Sequence, residues 1–139
     1  LPKERLPLRK LSAEDFMICI VASLGVGYLV GCISPAAFLG KKKNVNLKET
    51  GTKNLGATNT AMVLGRKAGV SVLLFDILKS YFVAKTARVI FRHLPYAGLL
   101  AAIGAIIGHC FPIFMNFQGG KGLAAFGGMI LFYNPWQRP

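Results

Sequence analysis

Two polar stretches hold most of the residues with chemistry to offer. The first, residues 51–65, reads Gly51-Thr52-Lys53-Asn54-Leu55-Gly56-Ala57-Thr58-Asn59-Thr60-Ala61-Met62-Val63-Leu64-Gly65, and the second is Gly119-Gly120-Lys121-Gly122. Glycines let the backbone turn several N–H groups toward one ligand, and Asn, Thr and Lys side chains add donors. Such a surface suits phosphate. The second stretch is not a Walker A loop, because Gly122 rather than Ser or Thr follows Lys121 and Met115 stands where that motif needs its first glycine. Taken alone, it also fits a glycine turn with a snorkelling lysine. His109 is the third candidate: its imidazole could act as a general base on a hydroxyl, donate to a phosphate, or brace the loops. Nothing near it in sequence completes a triad. Thr52, Asn54 and Thr58 are plausible oxygen ligands, although loops of this type also satisfy their own backbone.

These residues are set in an apolar chain. Of 139 residues, 53% are hydrophobic, mean hydropathy is +0.49, and the acids are only Glu4, Glu14, Asp15, Glu49 and Asp76. The apolar residues come in long blocks, which points to a membrane rather than a soluble core. The net charge of +12 sits at the block edges, as expected for loops facing anionic headgroups. No aromatic-plus-basic platform accompanies it, so nucleic acid is not an expected partner. Cys19, Cys32 and Cys110 are odd in number and lack metal-ligand spacing. They are expected to be structural thiols, with no metal and no cofactor.

Taken in order, residues 1–15 form a basic leader with Pro2 and Pro7, distinct from the membrane domain 16–139. It does not resemble a cleaved signal, because the apolar run after it is too long. Ser12 followed by Glu14 and Asp15 is a helix start signal. The first spanning segment is expected over 16–39, with Pro35 bending or ending it near its exit. A long loop, 40–68, follows Lys41, Lys42 and Lys43. The second segment, 69–84, carries Asp76 and Lys79 on one face, either as a structural ion pair or as part of a polar cavity wall. Lys85, Arg88, Arg92 and His93 form the next loop, the third segment covers 95–117, and the fourth covers 123–136, with Tyr133 and Trp136 suited to the interface. The predicted class is all-α, a polytopic integral membrane helix bundle of about four spans. If the first three all span, Ser34, the 51–65 stretch, His109 and Lys121 meet on one side. Lys41–Lys43 tilt that side toward the cytoplasm.

The ordered set of 51–65, Asp76-Ile77-Leu78-Lys79, Gly108-His109-Cys110-Phe111-Pro112 and Phe117-Gln118-Gly119-Gly120-Lys121-Gly122 resembles the PlsY-type glycerol-3-phosphate acyltransferases, over roughly residues 28–135. The resemblance implies a bacterial inner-membrane enzyme with its polar motifs on the cytoplasmic face. Its substrates are acyl phosphate and glycerol 3-phosphate, its product is lysophosphatidic acid for phospholipid synthesis, and it needs neither metal nor acyl-CoA. Both substrates are anionic, and membrane lipids surround the body. Carried over by position, the family's Gly-Ser-Gly-Asn is Gly51-Thr52-Lys53-Asn54, with Thr52 keeping the hydroxyl, and Gly56, Thr58 and Asn59 match. The family arginine is Met62 here, with Lys53 or Arg66 as possible substitutes. The family's Gly-Ser-Ile-Pro-Ser is Gly31-Cys32-Ile33-Ser34-Pro35, with Ser34 the displaced hydroxyl, and Ala125 stands where a threonine often follows the glycine turn. The expected assignment makes Thr52 and His109 catalytic. Ser34, Gly51, Lys53, Asn54, Gly56, Thr58, Asn59, Gly119, Gly120, Lys121 and Gly122 then bind substrate, and either His109 or the leaving phosphate takes the proton. The family continues for several helices with a later His, Asn and Glu motif, so an incomplete fold is expected. The rival expectation is a non-catalytic paralogue that binds lipid phosphates or a partner enzyme. A small transporter lacks an inverted repeat to support it.

Overall fold

A computed structural model describes residues 12–92, 94 and 96–133. All regular structure among them is helical: α1 (Ala13–Gly31), α2 (Pro35–Lys42), α3 (Ala57–Leu64), α4 (Arg66–Ile90), α5 (Ala97–Cys110), a short 3-10 helix (Ile113–Met115) and α6 (Leu123–Phe132). The first turn of α1 includes Glu14 and Asp15, and the Ser12 hydroxyl accepts from Asp15 N at 3.1 Å, which is the predicted start signal in place. The basic leader therefore runs into α1, and residues 1–11 lie outside the described residues.

The first apolar segment is two helices rather than one. Pro35 cannot donate to a preceding turn, so α1 ends at Gly31 and α2 starts afresh with Pro35 at its first turn and Ser34 as its cap. Together α1 and α2 form an apolar stretch over Ala13–Lys42, long enough to cross a bilayer, and Ala97–Met115 forms a second. The 25 residues of α4 span about 37 Å at about 1.5 Å per residue, but charges interrupt its apolar face, and α6 is only 10 residues long.

Three boundaries differ from the sequence expectation. The expected loop 40–68 contains α3, and α4 continues to Ile90, so Lys85 and Arg88 are helical rather than in a loop. Both point outward while Val83, Ala84 and Ala87 beside them are buried, so the amphipathic face carries the helix past its apolar stretch. The third segment stops as a helix at Cys110, before Pro112. His93 and Trp136 lie outside the described residues.

Small residues set the bundle's central contact. A Cβ on Gly27 would meet Ala101 O, one on Gly31 Ala105 O, one on Gly104 Leu24 O and one on Gly108 Tyr28 O. These four pairings advance together along both helices, so α1 and α5 run parallel, backbone against backbone, as small-xxx-small spacing allows. Val83, Ala87, Leu94, Ala97, Ala101 and Ala105 extend this seam into the core. α6 runs back along α5, with Phe132 beside Gly98, and lies parallel to α4, with Gly128 against Ile77 O. Because α1 and α5 end on the same side, where α4 and α6 begin, every polar stretch is delivered to one end of the bundle.

Candidate active site

The 51–65 stretch is held by one side chain. Asn59, on α3 and 1% exposed, donates through Nδ2 to Leu47 O (2.9 Å), Thr50 O (3.0 Å) and Asn54 O (2.8 Å). Its Oδ1 accepts from Thr52 N at 2.8 Å. Two amide protons thus serve three carbonyls, and the group is fully committed to the loop. Asn59 was expected to bind substrate; instead its amide is the loop's internal scaffold. Gly51 and Lys53 take the left-handed conformation (φ 64° and 60°), and a Cβ on Gly51 would collide with Asn59 Oδ1. Around this scaffold Gly51, Thr52, Lys53 and Thr58 are exposed, and Asn54 and Gly56 are half-buried. Gly56 caps α3 with no side-chain hydrogen bond, so the first-turn N–H groups of α3 have no intrahelical acceptor.

The glycine turn is built on the end of α5. Gly120 N donates to His109 O and Gly119 N to Cys110 O, each at 3.0 Å. Two amides expected to face a ligand are therefore used on the carbonyls that α5 leaves unpaired. The donors that remain open belong to the first turn of α6, which Gly122 (φ 80°) caps without a side-chain bond, beside exposed Lys121. The approach to the turn is strained: Asn116 and Phe117 both have positive φ, 54° and 59°, and Phe117 N donates to Pro112 O at 2.9 Å.

The two stretches meet at Gly120. A Cβ there would strike His109 Nε2 and lie 3.1 Å from Leu55 O, the residue before Gly56. The starts of α3 and α6, the His109 ring and Lys121 thus share one end of the bundle. Ser34 also stands at this end, but its hydroxyl is engaged as the α2 cap, accepting from Ala37 N at 3.2 Å. An open cavity of about 430 Å³ adjoins the site, lined by Lys41, Asn44, Asn46, Lys48, Leu55 and Met115 among others. That volume falls within the range of small-molecule sites.

Beneath the turn lies a buried polar cluster. Lys79 Nζ donates to Gly31 O (3.1 Å) and Ile33 O (2.9 Å), the carbonyls freed where α1 breaks. It also contacts Asp76 Oδ1 at 2.9 Å and His109 Nδ1 at 3.0 Å. Asp76 Oδ1 receives no well-directed hydrogen bond, so its contact with Lys79 is one of charge. Lys79 is 7% exposed and Asp76 1%, and the pair faces the bundle interior, as intramembrane charges do. Asp76 and Lys79 were noted in the sequence as charges inside a span, but nothing there tied them to His109. Lys48 and Tyr28 carried no sequence signal at all: Lys48 Nζ donates to Met115 O and Tyr28 OH to Phe111 O, both at 2.8 Å, bracing the segment before the glycine turn. Met62, where the resemblance implies an arginine, is 66% exposed on α3, and Lys53 and Arg66 are exposed as well. Among the described residues no group of His, Cys, Asp and Glu is arranged to hold a metal.

An all-α bundle whose apolar helices deliver glycine turns, lysines and a buried histidine to one end is an integral membrane helix bundle with an anion-suited face. The architecture is similar to that of a crystal structure of PlsY, an integral membrane glycerol 3-phosphate acyltransferase, in its glycerol 3-phosphate form. The TM-score is 0.74 at 31% identity, covering 88% of this chain and 59% of that one. The lysophosphatidic acid form gives a TM-score of 0.74 at 32% identity, covering 84% and 58%. Residues 21–138 match the family model described as glycerol-3-phosphate acyltransferase, and the chain belongs to that family. Relatives named glycerol-3-phosphate acyltransferase include one from Bacillus velezensis, 43% identical over 79% of this chain and 56% of its own length. One from Bacillus subtilis is 44% identical over the same shares, and one from Chlorobium phaeobacteroides is 38% identical over 86% and 55%. The chain spans about half the length of the curated relatives it matches.

Proposed function

We propose that this protein transfers a fatty acyl group from acyl phosphate to the 1-hydroxyl of glycerol 3-phosphate. The hydroxyl oxygen attacks the acyl carbonyl, the bond from that carbon to the phosphate oxygen breaks, and lysophosphatidic acid and inorganic phosphate leave. The observation that carries the reading is the junction at Gly120, where two uncapped helix N-termini, His109 and Lys121 share one end of the bundle. Helix N-termini and lysine are suited to phosphate oxygens, and fixed donors stabilise charge that develops on a carbonyl oxygen. Lys121, Gly122 and the start of α6 are assigned to phosphate. Thr52, Lys53, Asn54 and Thr58 are assigned to positioning the acyl phosphate, with Asn59 holding their loop. Lys41 and Lys48 in the adjoining cavity give a second anion-suited surface. The face is assigned to the cytoplasmic side of the plasma membrane, in keeping with Lys41–Lys43 at that end.

The test is acyl transfer by the full-length protein in membranes given palmitoyl phosphate and labelled glycerol 3-phosphate. Labelled lysophosphatidic acid that disappears in Lys121→Ala supports the reading. No product, in membranes where a known family member is active, refutes it.

A further inference from the structure

The contacts of Lys79 decide which nitrogen of His109 carries the proton. Three oxygens lie within 3.1 Å of Nζ: Gly31 O, Ile33 O and Asp76 Oδ1. Two of them are carbonyls that accept from Nζ, and the third belongs to the buried Asp76 carboxylate, whose charge needs a cation beside it, so the group is taken as an ammonium, which donates and never accepts. His109 Nδ1 lies 3.0 Å from this ammonium and must therefore be the unprotonated nitrogen. Asp76 offers no alternative, since its Oδ1 is 3.6 Å from Nδ1, too far for a hydrogen bond. The proton of the neutral ring is then on Nε2. That nitrogen has no hydrogen-bond partner among the described residues, and it faces the Gly120 backbone.

We infer that His109 serves the anion site as a hydrogen-bond donor through Nε2–H, with Lys79 as the positioning residue that sets its tautomer. This rests on the phosphate-binding reading of the same end of the bundle and names the part His109 plays in it. Its ligand is an anionic oxygen of glycerol 3-phosphate or of the acyl phosphate, seated against the glycine turn. The arrangement explains why Gly120 has no side chain, since a Cβ would occupy the space in front of Nε2. It also gives the buried pair in α4 a task in the site: Asp76 balances the ammonium charge, and the ammonium orients the ring. A base at Nε2 is excluded while Lys79 keeps its contacts.

The test uses the full-length protein with nitrogen-15 histidine in lipid nanodiscs. His109 signals are assigned by their loss in H109Q. The expected spectrum has Nδ1 unprotonated and Nε2 protonated, with Nε2 moving when glycerol 3-phosphate is added. K79M is expected to release the ring into mixed tautomers. In kinetics, H109Q supplies an amide donor without a basic nitrogen and is expected to stay within about tenfold of wild type. H109A is expected to lose about ten- to a hundredfold more, chiefly through a higher KM for glycerol 3-phosphate, the size of one hydrogen bond to a charged group. A protonated Nδ1, or an H109Q as impaired as H109A, overturns the inference. Failure of the acyl-transfer reading shows separately, as a wild type that makes no lysophosphatidic acid, and the tautomer spectrum decides this inference in that case too.

Discussion

Replacing Asn59 tests whether one amide holds the polar loop. Asn59→Ala removes three donated hydrogen bonds, to Leu47 O, Thr50 O and Asn54 O, and the one accepted from Thr52 N. At about 0.5–1.5 kcal/mol net for each, the loop loses about 2–6 kcal/mol of local stability. The helical seams lie elsewhere, so the loss is confined to the segment around 47–54 rather than spread through the bundle. The direct assay is hydrogen exchange at the Thr52 amide, which donates to Asn59 Oδ1. Its exchange should accelerate by between about thirtyfold and about twenty-five-thousandfold, while amides in α1 and α5 keep their protection. Acyl transfer should fall by at least about a hundredfold, because Thr52, Lys53 and Asn54 no longer share one geometry. Asn59→Asp is the sharper variant. It keeps the shape and can still accept from Thr52 N, but it faces three carbonyls with oxygens that cannot donate, so it should be as damaging as Ala. Unchanged Thr52 exchange in Asn59→Ala, or a near-normal Asn59→Asp enzyme, would refute the scaffold assignment.

Other variants probe the remaining contacts. Gly108→Ala sets a methyl against Tyr28 O at the α1–α5 seam and should destabilise the bundle by about 1–3 kcal/mol, read as a lower Tm in detergent. Gly120→Ala should do the reverse, lowering kcat/KM by more than about a hundredfold through the His109 ring while shifting Tm little. Asp76→Asn leaves the Lys79 ammonium buried without its counter-charge and should cost about 3–5 kcal/mol, so poor accumulation in the membrane with residual activity in the surviving fraction is the expected result. Met62→Arg restores a cation on the exposed face of α3 and should lower KM for glycerol 3-phosphate by several-fold, as one added charge-assisted contact would.

The helical class, the start at Ser12, the break at Pro35 and the gathering of polar stretches at one end all followed from local signals: caps, proline and the parity of apolar segments. The structure adds to the sequence expectation where tertiary contact overrides composition or uses a group that local pattern leaves open. Residues 57–64 are rich in hydroxyls and amides and resemble a loop, yet they form a helix because Gly69 of α4 lets Ala61 pack closely and Thr60 bonds back to Gly56 O at 2.8 Å. The amides of Gly119 and Gly120 were expected to serve a ligand, since glycine shows where a backbone can turn but not which carbonyl lies behind it. Asn59 was expected at the ligand for a similar reason. An amide side chain has the same sequence signature whether it reaches outward or inward, and only its 1% exposure distinguishes the two. Lys79 and His109 are 30 residues apart, and their contact depends on the antiparallel register of α4 and α5, which no local pattern encodes.

The carbonyls of Gly31 and Ile33 that Lys79 satisfies also bear on how the protein is made. When α1 first enters the bilayer its last turn is unfinished, and those two oxygens must remain hydrated until a donor arrives from a helix synthesised later. α4 has the converse problem, since Asp76 and Lys79 each make solitary entry into lipid unfavourable by about 2.5–3.5 kcal/mol. Each helix is therefore a poor passenger alone and a good one beside the other. Because α1 precedes α4 in the chain, the expected order is that α1 enters unfinished and is completed when α4 joins it. A ribosome stalled before Lys79 would hold an intermediate whose α1 is still exchangeable with the aqueous phase at its end.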